Sequence, residues 1–68
     1  MDKTQLFFNL RTLAKLDFTL AQLSLDLLEL ENQTVDDLQR AYISKKKAEI
    51  QIEQIHRTNF IKDNKLPV

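Results

Sequence analysis

LFFNLRTLAKLDFTLAQLSLDLLEL, residues 6–30, decides the fold. Fifteen of its 25 residues are Leu, Phe or Ala, and five carry charge. Leu6, Leu10, Leu13, Leu16, Leu20, Leu23, Leu27 and Leu30 recur in steps of three and four. At 100° per residue that spacing keeps them in one sector of a helix. Leu23 to Leu27 (LSLDL) alternates as a strand does, but the three–four stepping on both sides favours helix.

The remainder of the chain points the same way. Glycine is absent and the only proline is Pro67, whereas strand proteins draw their turns from these residues. A first helix is predicted over about residues 3–31. It ends at ENQT (31–34), where Asn32 offers a left-handed C-cap in the absence of glycine. Thr34, with Asp37 three residues on, is the expected N-cap of a second helix over about 35–60. Asp36 and Asp37 suit the positive end of its dipole. Glu53 and Arg57 stand four apart in the favourable order. A loop of about four residues makes the helices antiparallel neighbours. The expected fold is all-α: a two-helix hairpin over 1–61, with 62–68 as a flexible polar tail. A second chain would complete a four-helix bundle.

Sixty-eight residues form one small domain with little core of its own. Without cysteine, disulfides and thiolate metal sites are excluded. The single histidine, His56, has no acid or nucleophile placed to work with it, so no metal, cofactor or catalytic set is expected. A phosphate loop would need glycine. Formal charge is zero, with −2 on residues 1–34 and +2 on 35–68. That balance disfavours nucleic acid, whose binders are usually basic overall. Lys45, Lys46 and Lys47 are the one feature in its favour, and on a helix they fan over 200°, as a solvated face does. Five charges in 6–30 disfavour a membrane span. With no signal peptide before them, a cytoplasmic protein is expected.

Apolar surface remains in excess. On helix one, Phe7, Ala14, Phe18, Ala21, Leu25 and Leu28 form a second row beside the leucines, with Asp17 and Ser24 between the two. Helix two carries a main row, Val35, Leu38, Ala41, Tyr42, Ala48, Ile52 and Ile55, and a narrower one, Ile43, Ile50 and Ile61. The eight leucines are expected to pack on the main row. The second row of helix one, extended by Ile43 and Ile50, is then left for a protein partner, either another copy or a different chain. Phe60 and Ile61 are expected near Phe7 and Phe8.

The segment DLQRAYISKKKAEIQIEQI, residues 37–55, resembles the second helix of the small co-chaperones of type III secretion needle subunits. There an aromatic follows a Gln-containing helix start, a polar stretch comes next, and an Ala leads into Ile-rich turns. Tyr42, Ala48, Ile52 and Ile55 are the matching positions, over about a third of the chain. Many members carry glycine in the loop, where this chain has ENQT. The resemblance implies a bacterial cytoplasmic adaptor that binds and stabilises a larger helical-repeat (tetratricopeptide-like) chaperone. That pair holds the needle subunit monomeric before export. The alternative reading is a homodimeric hairpin regulator that binds nucleic acid or another protein.

Overall fold

Asp2 starts the first helix. Its backbone is extended and its carboxylate accepts the Gln5 N–H at 2.7 Å, which satisfies one of the donors that a helix start leaves unpaired. A computed structural model of the chain describes residues 2–33 and 36–68. It contains two helices, α1 (Lys3–Glu31) and α2 (Asp37–Asp63). They pack side by side as an all-α hairpin, 51 × 16 × 14 Å overall. The long dimension matches a helix of 29 residues, about 43 Å at 1.5 Å per residue, plus its caps and turn.

The turn differs in detail from its sequence reading. Asn32 does cap α1, but with right-handed backbone (φ −81°), and its N–H bonds to the Leu28 carbonyl at 3.1 Å. Gln33 N–H reaches Leu30 O. Thr34 and Val35, the expected cap and first apolar residue of α2, lie outside the described residues. Asp36 is the N-cap: its carboxylate accepts Gln39 N–H at 2.8 Å, and the Gln39 side chain accepts Asp36 N–H at 3.3 Å. This is a complete capping box, and its Gln39 amide also bonds Gln33 at 2.8 Å.

The α1 seam follows Leu6, Asn9, Leu13, Leu16, Leu20, Leu23, Leu27 and Leu30, all buried or partly buried. Steps of three and four alternate without a break, the heptad rule for helices packed lengthwise. Leu10, expected in the seam, sits on its exposed edge, and Asn9 occupies the position at 7% exposure. Asn9 accepts a hydrogen bond from Gln5 at 3.2 Å and makes a long contact (3.5 Å) to Asn64 of α2.

The seam of α2 reverses the sequence expectation. Gln39, Ile43, Lys46, Ile50, Glu53, Arg57, Phe60 and Asn64 are partly buried at the same alternating spacing, with Glu49 and Ile61 partly buried beside them. Ile43 and Ile50, expected at a partner interface, face α1. Leu38, Tyr42, Ala48, Ile52 and Ile55, expected in the hairpin core, are exposed, as is Ala41. The rotation that separates these arrangements is roughly 130° at 100° per residue. Polar links set it. Arg57 bonds Asp17 across the helices, Asn64 meets Asn9 at the open end, and the capping box with Gln33 fixes the closed end. Lys46 and Glu53 are partly buried at the seam, a position long amphipathic side chains tolerate because the stem can cover apolar surface while the charged end reaches water. Glu53 therefore meets His56 (3.5 Å), its expected partner Arg57 being engaged by Asp17.

The C-terminus also departs from the reading of a loose tail. Helix α2 continues to Asp63. Lys65 then takes a left-handed backbone (φ 50°), Leu66 N–H bonds Ile61 O at 3.1 Å, and Lys65 N–H bonds Lys62 O at 3.3 Å. This is a Schellman turn with Lys where glycine usually stands. It folds Leu66 inward to 7% exposure, and Leu13 and Leu66 are the buried apolar residues among those described.

Candidate functional site

Leaving the better apolar row of α2 outside gives the hairpin two uncovered rows. On α1 they are Phe7, Ala14, Phe18, Ala21, Leu25 and Leu28. Phe18 is 72% exposed, and Phe7, Leu25 and Leu28 are more than half exposed. The Phe7 and Phe8 rings meet edge to face, with centroids 5.8 Å apart. On α2 the row is Leu38, Tyr42, Ala48, Ile52 and Ile55, whose large members are likewise more than half exposed.

The two rows lie on opposite faces. Asp17 and Ser24 flank one side of the leucine seam, between it and the Phe18 row, and Asp17 bonds Arg57 there. Asp26 and Glu29 flank the other side. They line a shallow groove with Leu30, Gln33 and Lys46, continuous through Leu30 and Lys46 with one that Tyr42, Lys45 and Glu49 line. The Tyr42 edge of α2 therefore shares a face with the polar flank of α1, and the Phe18 row looks the other way. Each face carries one apolar row beside one polar helix flank.

Surface area shows how incomplete the core is. A compact monomer of this mass exposes roughly 4,450 Å², whereas the hairpin exposes 5394 Å². Returning Leu38, Tyr42, Ile52 and Ile55 to an apolar setting is worth about 1 kcal/mol each, given 1.5–3 kcal/mol for a whole side chain. On its own the hairpin leaves that contribution unused.

Among the described residues no cluster of three His, Asp or Glu side chains could hold a metal. His56 is an exposed side chain beside Glu53. The lysine run splits: Lys46 lies at the seam and pairs with Glu49 at 3.4 Å, while Lys45 and Lys47 are exposed and, two residues apart, diverge by roughly 160°. No helix among the described residues is long and apolar enough to cross a membrane. The α2 row reads from sequence as hairpin core because it is the more apolar; the available signal for the other arrangement is the mixed row at alternating three–four spacing from Gln39 to Asn64, in which Ile43, Ile50 and Phe60 stand among polar residues. The chain matches no protein-family model, and comparison with curated proteins and solved structures gives no match.

Proposed function

We propose that the protein is a non-enzymatic adaptor that docks by an apolar helix face on a helical partner. The observation that carries this reading is the rotation of α2, which turns a mixed row (Ile43, Ile50 and Phe60 among polar residues) to α1 and its Leu38, Tyr42, Ile52 and Ile55 row to solvent. A row of large apolar side chains at helical spacing is what a helix presents to a hydrophobic groove. Tyr42, Ala48, Ile52 and Ile55 are also the positions that carry the resemblance to co-chaperones of type III secretion needle subunits. The specific proposal is therefore a bacterial cytoplasmic co-chaperone whose α2 row fills the concave groove of a helical-repeat chaperone. It acts by burying apolar surface on both chains and needs no cofactor. Tyr42 is the expected anchor, since a ring buries a large area with its hydroxyl left at the rim.

The test is co-expression with the tetratricopeptide-type needle chaperone of the same cell. A stable complex of defined stoichiometry, lost on Tyr42→Asp or Ile52→Asp and kept on Phe18→Asp, supports the reading. Failure to bind that chaperone removes the specific partner. The rival nucleic-acid reading predicts salt-sensitive micromolar binding to generic RNA that Lys45→Glu abolishes. It has less support, because the lysine run faces three directions and one lysine is held at the seam.

A further inference from the structure

We propose that the α1 row is covered by the same row of a second copy, with the two α1 helices antiparallel about a two-fold axis. This goes beyond the adaptor reading and does not depend on it, because it uses the other face. Two features of α1 select this occupant.

The first is size. Ala14, Phe18, Ala21, Leu25 and Leu28 step by four, three, four and three, a second heptad seam on the back of the helix. Small and large residues alternate along it as far as Leu25. When two such rows run antiparallel with residue numbers that add to 39 across the contact, Phe18 of each copy meets Ala21 of the other. Leu25 likewise meets Ala14. Each large side chain then falls on an alanine, the alternation that lets facing helices interdigitate.

Charge is the second feature. Every base of α1 lies in its first half (Lys3, Arg11, Lys15). From Asp17 onward it carries only acids: Asp17, Asp26, Glu29 and Glu31. An antiparallel pair lays the basic half of each α1 along the acidic half of the other, and a parallel pair sets like against like. In the register above, Arg11 sits opposite Leu28, on the side of the contact where Glu29 of the other copy lies. An isologous contact of this kind closes at two copies and stops. The α2 rows remain outside, one on each outer face of the resulting four-helix assembly.

The experiment is sedimentation of the purified full chain, with three sets of variants. Wild type at about 50 µM is expected to run at about 16 kDa, twice the chain mass of 8.0 kDa, the regime of a micromolar contact. Phe18→Asp should weaken the dimer by about a hundredfold while far-ultraviolet circular dichroism stays helical, and Ile52→Asp should leave the dimer intact. The register is read by cysteine cross-linking, to which the native chain contributes no cysteine. Ala14→Cys mixed with Leu25→Cys should form a mixed disulfide. Ala14→Cys alone should not, because its two copies lie roughly 16 Å apart along the axis. A monomer at every concentration overturns the proposal. So does a dimer that survives Phe18→Asp, or one in which Ala14→Cys cross-links to itself as readily as to its mixed partner.

Discussion

Two isoleucines two residues apart give opposite answers if α2 is rotated as described. Ile50 lies partly buried against the leucine row and Ile52 is 51% exposed. Truncating Ile50 to Ala removes most of a side chain worth about 1.5–3 kcal/mol on full burial. Alanine returns a few tenths as the better helix former, so the net loss is about 1.5 kcal/mol. Ile52→Ala gives up about half as much apolar contact, recovers the same propensity, and should cost about 0.5 kcal/mol. A chain of this length has roughly 3–4 kcal/mol of stability at the low end of the usual range. The first change should therefore remove close to half of it, and the second little. The assay is urea unfolding followed by far-ultraviolet circular dichroism, at a chain concentration low enough that association adds nothing. A larger loss for Ile52→Ala than for Ile50→Ala would refute the rotation, and with it the claim that the richer row faces outward.

Other perturbations probe the devices that fix this arrangement. A double-mutant cycle on Asp17→Asn and Arg57→Gln should give a coupling of about 0.5–1 kcal/mol that shrinks at high salt, as for a half-exposed ion pair. Asn9→Leu should raise the urea midpoint, because an amide in a leucine seam costs stability in exchange for register, and should broaden the amide NMR spectrum as alternative pairings become populated. Lys65→Gly should stabilise the chain by about 0.5–1 kcal/mol by relieving a left-handed backbone at a side-chain-bearing residue. Leu66→Ala should cost about 1–2 kcal/mol, and a silent Leu66→Ala would mean that the C-terminal turn contributes nothing.

Fold class was legible in the sequence because it rests on periodicity and missing residues, both of which a single chain displays in full. Eight leucines at helical spacing, no glycine and one terminal proline leave few architectures open. Rotation about the helix axis was not legible in the same way. It depends on which of two rows wins the contact, and hydrophobicity alone ranked Leu38, Tyr42, Ile52 and Ile55 above Ile43 and Ile50. The polar links seen in the observed arrangement join residues far apart in the chain, Asp17 with Arg57 and Asn9 with Asn64. Their pairing follows only once the helices are in register. A subtler cue was present on α1: the step pattern is unbroken only when Asn9 replaces Leu10. The exposed row of α1 was readable because Asp17 and Ser24 separate it from the leucines in the sequence itself. The turn after α2 was missed because its signature residue, glycine at the left-handed position, is a lysine here.

The polar α2 side of the seam carries a consequence for the protein's lifetime in a cell. Lys46, Glu53 and Arg57 occupy positions where apolar residues would tighten the hairpin. At about 3 kcal/mol of stability, on the order of 1 copy in 100 is unfolded at any moment, and cellular proteases act on that fraction continuously. A copy with its rows covered opens far less often. If a partner covers the rows in the cell, surplus chains would be cleared and engaged ones would persist, so the amount of hairpin would follow the amount of that partner.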